Sequence, residues 1–184
     1  FAVVWRETGQ RTAVLRILLP GPRLRGAIAD RYPDARIGAH PAVVRLAGDI
    51  EAAMRGEAVE FCLDRVAIDL LGDFQRRVLA AEHGIPRGRV SSYGRIAARV
   101  GSPGGARAVG RALATNPFPI VVPCHRAIQS DGNLGGFQGG AEMKRLLLEQ
   151  EGVAVSPDGR IASPRWHYRN TDNGLAAREQ DSTW

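Results

Sequence analysis

The chain has 184 residues, 44% of them hydrophobic, with a formal net charge of +6 and a pI near 10.3. That suffices for one domain with a real core, or two small ones, and excludes wholesale disorder. No apolar run approaches a membrane span, and two cysteines, Cys62 and Cys124, exclude a disulfide framework.

A reduced, cytoplasmic setting is therefore expected, or a nuclear one in a eukaryote. No signal-peptide pattern opens the chain. Its first residue is Phe1 rather than Met, so removal of something upstream is expected. The positive balance favours a polyanionic partner such as nucleic acid, although an arginine-rich surface alone does not prove one. Nearly all of that charge is arginine, Lys144 being the single lysine.

In chain order, Phe1 to Trp5 and Thr12 to Leu19 read as strands joined by a hairpin turn at Glu7-Thr8-Gly9-Gln10. A short helix is predicted from Leu24 to Tyr32. A second runs from Ala42 to Arg55, with Val43, Leu46, Ile50 and Met54 on one stripe. Ala58 to Leu70 reads as extended and as returning to the first sheet. Cys62, between Phe61 and Leu63, reads as core.

The texture changes at Gly72-Asp73, where Asp73 is expected to cap a helix ending at His83-Gly84. Ser91-Ser92 caps a short helix with Ile96, Ala97 and Val100 inward. Ser102-Pro103-Gly104-Gly105 links it to a helix over Ala106–Ala114. Two short helices around a glycine-containing turn match the helix-turn-helix pattern. A glycine-rich loop, Ser130 to Gly140, precedes a helix through Met143, Leu146, Leu147 and Gln150. Val153 to Ile161 reads as a hairpin around Pro157-Asp158-Gly159, and Ser163 to Trp184 as a polar appendage.

One stretch carries chemistry: Asn116-Pro117-Phe118-Pro119-Ile120-Val121-Val122-Pro123-Cys124-His125-Arg126. Ile120 to Val122 reads as a short buried strand stopped by Pro123, which has no N–H for a ladder. Past that stop, in a turn, Cys124 and His125 can share one environment. A thiol beside an imidazole is the minimum for an activated sulfur nucleophile. Alone, the pair reads equally as a small buried hydrophobe beside a histidine without chemistry.

From Phe74 to Gly152 the chain resembles the C-terminal domain of the O6-alkylguanine-DNA alkyltransferases. The matching pieces are Ser92-Tyr93-Gly94, Ala106-Arg107-Ala108-Val109-Gly110, Asn116-Pro117, Pro123-Cys124-His125-Arg126 and Gly139-Gly140, in order and near the family's spacing. The resemblance implies direct DNA repair, in which an alkyl group passes irreversibly from guanine O6 to the protein's own cysteine, once per molecule.

Carried over, Cys124 is the acceptor, His125 the base acting through a water, and Glu151 its orienting carboxylate. Asn116 fixes the turn and Tyr93 hydrogen-bonds guanine N3. Arg107 fills the gap left by the flipped base. Ala106, Ala108 and Gly110 allow close approach in the minor groove, and Ser92 and Arg111 join them at the DNA. Phe137, Gln138, Gly139, Val122 and Pro119 are implied as the substrate pocket. Phe137 stands where a tyrosine is common, and Gln138 where a small residue is, so a narrower pocket is expected. Ala127 stands where valine is usual.

The expected fold is α+β. It comprises an N-terminal antiparallel-sheet domain (1–71), a mostly helical catalytic and DNA-binding domain (72–162), and a flexible extension (163–184). The partner is double-stranded DNA containing O6-alkylguanine, with no cofactor, no metal, no membrane, and a monomer acting alone. Cys62 lacks neighbouring ligands for the zinc that some relatives carry. Two other readings stand beside this one. A non-catalytic lesion binder would lack the acceptor cysteine, and an alkylation-sensing transcription regulator would carry a metal-binding cysteine cluster. Taken singly, Tyr93 reads equally as a packed aromatic, Arg107 as a solvated charge, Glu151 as a helix-end charge and Asn116 as a turn residue.

Overall fold

The computed structural model describes residues 1–9 and 11–168. The chain opens with an antiparallel hairpin of β1 (Ala2–Thr8) and β2 (Arg11–Leu18), whose register slips between Val4 and Trp5. Both strands run further toward the turn than expected. Val14 and Ile17 bury the inward face. Helix α1 (Leu24–Arg31) buries no residue. Helix α2 (Pro41–Met54) starts where His40 accepts from the Ala42 amide, and it seats Val43, Leu46 and Ile50 in the core.

The segment expected to return as a strand does not. Residues 63–65 and 68–70 form two 3₁₀ turns, and contact with the sheet is a single parallel bridge between Val14 and Val66. Its apolar residues Leu63 and Val66, then Ile68 and Leu71, recur every third position. That is the 3₁₀ period rather than the two of a strand. Cys62, read as core, is exposed.

Helix α3 (Asp73–His83) begins one residue after Gly72, its N-cap; Asp73 engages Arg76 at 2.6 Å instead of capping. Strand β3 (Ser91–Ser92) leads into α4 (Tyr93–Arg99), and Ser92 Oγ accepts from the Arg95 amide, as a cap should. A turn containing Gly101 and Gly104, both at positive φ, joins α4 to α5 (Ala106–Ala114). Helices α3, α4 and α5 pack on one another as a helix-turn-helix on its support. A 3₁₀ turn over Cys124–Arg126 then runs into β4 (Ala127–Ile128). The parallel pairs Ser91 with Ala127 and Ser92 with Ile128 place the Cys-His-Arg turn beside the start of α4. The fold is α+β, and one core cluster joins Val14, Ile17, Leu46 and Ile50 to Val109, Leu113 and Cys124.

One further expectation changes. Ile120 to Val122 is fully buried but is not a strand. Ile120 sits at φ 74°, and the Val122 amide donates back to Phe118 O at 2.8 Å, closing a tight loop. An apolar run specifies burial, not extension, and here the chain must reverse. A β-branched residue at positive φ costs on the order of 1–3 kcal/mol, so the surrounding contacts hold it there. Helix α6 (Gly140–Gln150) forms as expected, with Lys144, Leu147 and Leu148 buried and Leu146 half exposed.

After α6, the turn at Pro157-Asp158-Gly159 forms, but only Ser156 and Arg160 pair across it. Beyond that the segment pairs with the glycine-rich loop: Leu134 donates to Gly159 O and Ile161 to Gly132 O. The extension was expected to be flexible throughout, yet residues 164–168 dock as a strap. Val90 donates to Arg165 O, and His167 donates back to Val90 O. The Arg95 guanidinium lies 4.7 Å from the Trp166 ring, and Tyr168 Oη donates to Ala81 O at 2.7 Å. Residues 169–184, also called flexible, lie outside the described residues.

A docked strap makes its side chains part of the folding unit. Trp166→Ala is expected to lower unfolding free energy in urea by about 2 kcal/mol, and Tyr168→Phe by about 1 kcal/mol. Midpoints equal to wild type for both would show that the strap contributes nothing.

Candidate active site

The Cys-His-Arg turn is built from both sides. Asn116, fully buried, clamps the preceding loop: its Nδ2 donates to Val122 O at 3.2 Å and its Oδ1 accepts from the Phe118 amide at 2.9 Å. The strained Ile120 lies inside that clamp. The loop therefore delivers Cys124 in a fixed place, and the Asn-Pro pair does more than start a turn.

His125 is buried, and its Nε2 lies 2.8 Å from Glu151 Oε1, at the C-terminal end of α6. Burial would raise the Glu151 pKa, but hydrogen bonds from His125 and Arg126 outweigh it and bring it down to about 2. An ionised carboxylate accepts only, so Nε2 carries the imidazole proton and Nδ1 presents its lone pair. Nδ1 is buried and has no hydrogen-bond partner in the protein. Burial lowers the His125 pKa against the opposing pull of Glu151, which keeps the ring neutral and basic.

Arg126 was not singled out from the sequence, yet it completes the cluster. Its Nε and Nη2 bracket the Glu151 carboxylate at 2.8–3.2 Å, and its Nη1 donates to Ile85 O at 2.5 Å. Its place directly after Cys-His was the available signal.

Cys124 is 5% exposed and stands at the wall of a cavity of about 380 Å³. Burial pushes its pKa up to about 12, with the Asn116 side chain pulling it partway back. The resting sulfur is a thiol, and attack requires a base. Tyr93 stands on the same cavity, its phenol held protonated by burial, with a pKa of about 12. Gly135 lies at φ +68, and a Cβ there would sit 3.0 Å from Tyr93 Oη, so the loop passes the phenol only as glycine.

Of the expected pocket residues, Phe137 and Gln138 line the cavity; Gly139, Val122 and Pro119 do not. Val122 is fully buried behind the wall with its carbonyl on Asn116, and a Cβ at Gly139 would strike Met143 and Phe137. Gly110, Leu113, Ala114 and Gly136 complete the lining; α5 thus contributes to the pocket as well as to the outer face. Gln138 is tethered by a 2.7 Å bond from its Nε2 to Asn116 O.

On α5, Arg107, Ala108 and Arg111 are exposed, with Arg107 and Arg111 one turn apart, while Ala106 and Gly110 are half-buried. Ser92, expected at the DNA, is buried with its hydroxyl spent on the α4 cap, so its side chain belongs to the scaffold.

Residues 73–153 match the family described as 6-O-methylguanine DNA methyltransferase, DNA binding domain. A methylated-DNA–protein-cysteine methyltransferase of Methanothermobacter thermautotrophicus is 45% identical over 153 residues, spanning 83% of this chain and 80% of that protein. Its counterpart in Mycobacterium leprae is 44% identical over 65% of this chain and 73% of its own length. Among solved structures, Mycobacterium tuberculosis OGT in complex with DNA superposes with a TM-score of 0.53. It is 48% identical over 58% of this chain and 65% of that one. The O6-methylguanine-DNA methyltransferase of Pyrococcus kodakaraensis strain KOD1 gives a TM-score of 0.61. Identity is 27% over 82% of this chain and 98% of that one. The likeness thus reaches beyond the catalytic half into the N-terminal hairpin unit. This chain belongs to the methylated-DNA–protein-cysteine methyltransferase family.

Proposed function

We propose that this protein repairs O6-alkylguanine in double-stranded DNA by taking the alkyl group onto Cys124 Sγ. The observation that carries the assignment of residues is the buried Cys124 thiol on a base-sized cavity, one residue from a histidine that burial keeps neutral and Glu151 holds in one tautomer. Sulfur attacks the alkyl carbon, the new S–C bond forms, and the C–O6 bond breaks. The thiol proton passes to His125 Nδ1, directly or through a water, and guanine leaves with its charge eased by a hydrogen bond from Tyr93 to N3. The product is a thioether that nothing in the site regenerates, so each molecule acts once.

An alkyl ether is a poor leaving group, and the stacked base is out of reach of Sγ, so the lesion must be extruded into the cavity. Arg107, exposed on α5 next to small residues, fills the stack while the minor groove receives the helix. Damage falls in any sequence, so phosphate contacts dominate binding. Among the described residues no helix is long and apolar enough to cross a membrane. An acceptor thiol that must stay reduced fits a reducing compartment such as the cytoplasm.

Cys124→Ser is expected to abolish release of labelled methyl from duplex DNA while leaving DNA affinity within a few-fold of wild type. Continued methyl release by that variant would remove Cys124 from its role. Arg107→Ala is expected to slow repair of duplex DNA by at least tenfold more than repair of a single strand, where no stack needs replacing. Equal losses on both substrates would assign Arg107 to something other than extrusion.

Glu151 also sets acid stability. Its folded pKa lies below the unfolded value, so its contribution is complete above about pH 4.5 and is lost as pH falls toward 2. The lowered His125 pKa acts in the same direction, because unfolding releases an imidazole that then takes a proton. Glu151→Gln is expected to lower stability at pH 7 by roughly 3 kcal/mol and to flatten the loss between pH 4.5 and 2. It should also slow transfer on the order of 10²-fold. Urea unfolding across that range checks the first claim; a wild-type-like acid slope in the variant would contradict it.

A further inference from the structure

Two fully buried charges lie outside the relay just described. Lys144, on α6, is 0% exposed, and its Nζ donates to Ala127 O at 2.6 Å, Leu134 O at 2.5 Å and Gly136 O at 3.2 Å. These carbonyls belong to the strand that leaves the cysteine turn and to the glycine loop that walls the alkyl cavity. Glu82, on α3, is 0% exposed, and neither carboxyl oxygen has a hydrogen bond of good geometry, the Ala127 amide being the one donor that acts on it. Helices α3 and α6 both pack against the turn bearing Cys124. A buried carboxyl group without a good partner is among the costliest groups a fold can hold, so its placement on a helix packed against the cysteine turn calls for an explanation.

We propose that Glu82 is a positioning residue for alkyl transfer: kept as the neutral acid, it leaves the Lys144 ammonium uncompensated behind Cys124, where that charge favours the thiolate formed during attack. The inference rests on Cys124 being the acceptor, as argued above. Burial raises the Glu82 pKa to about 8, against the pull of Lys144, Arg126 and the Ala127 amide. Cys124, Tyr93 and, from the strap, Tyr168 feel its charge in turn, each being pushed up by it.

Burial lowers Lys144 as well, to about 8. An ammonium, however, has three N–H bonds for its three carbonyls, and losing one would leave a buried acceptor without a donor. The proton that moves is therefore that of Glu82. Once Glu82 ionises it cancels the field of Lys144, and the thiolate loses its support.

The test uses the full chain and the free base O6-benzylguanine, which needs no DNA contact. Benzylation of the Cys124 peptide is followed by mass spectrometry from pH 6.5 to 9.5 for wild type and for Glu82→Gln, which mimics the neutral acid permanently. The ratio of the variant's rate to the wild-type rate is expected to rise about tenfold between pH 7 and pH 9, the fraction by which a group with pKa about 8 ionises. A ratio that stays constant with pH overturns the proposal.

Glu82→Leu serves the same comparison if the glutamine variant does not fold, and equal melting temperatures at pH 7 and 9 exclude unfolding as the cause. If wild type takes up no benzyl group, the assigned transfer itself has failed. The same pH series with iodoacetamide on the Cys124 peptide then still decides whether Glu82 governs that thiol. A constant ratio there overturns the proposal independently.

Discussion

The hydrogen bond between His125 and Glu151 is the constraint on which the rest of the site depends. It ties the cysteine turn to the end of α6, and it holds the imidazole in the tautomer whose other nitrogen can accept a proton. A buried histidine without this partner would still be neutral, but its basic nitrogen would be undetermined. A buried glutamate without Arg126 would tend to protonate and release the ring. The bond from His125 and the two-sided grip of Arg126, itself held by Ile85 O, keep Glu151 ionised despite burial. Three consecutive residues thus supply a buried thiol, a neutral imidazole and the arginine that anchors its carboxylate partner.

The scaffold works to make that arrangement fixed. Asn116 holds a reversed loop containing an isoleucine at positive φ, and the short parallel pairing of β3 with β4 sets Tyr93 across from Cys124. Strain at Ile120 is offset by the burial of Ile120, Val121 and Val122, which are at most 4% exposed. The same cavity wall is shared with α5, through Gly110, Leu113 and Ala114. Helix α5 and the Cys124 cavity are consequently one packed unit, and a change in bulk at Cys124 is felt directly by that helix.

Much of this was legible in the sequence, for reasons that can be named. Helices α2, α3, α4 and α5 announced themselves by their apolar stripes and stops, and Ser92 by its position as a cap. The Pro-Cys-His-Arg run identified the chemistry. What the sequence hid were cases in which tertiary demands overrode a local pattern. Ile120 to Val122 looked like a strand because burial and extension share a composition. Residues 58–70 read as extended although their apolar residues recur every third position, the period of the 3₁₀ turns found there. The burial of Lys144 had no signal in the sequence, because only the fold reveals three carbonyls converging on its ammonium. Glu82 lay unnoticed in a helix for the same reason. The docked strap carried no periodic signal, since it is held by one backbone bridge to Val90 and by the side chains of Trp166 and Tyr168.

The measurement that tests the central claim most directly is the intact mass of the protein after incubation with duplex DNA containing a single O6-methylguanine, followed by peptide mapping. The account requires each protein molecule to gain one methyl group, located on the Cys124 peptide, in step with restoration of guanine and with no second turnover. Unmodified protein accompanying guanine repair, or a methyl group found on Cys62 or elsewhere, would contradict it.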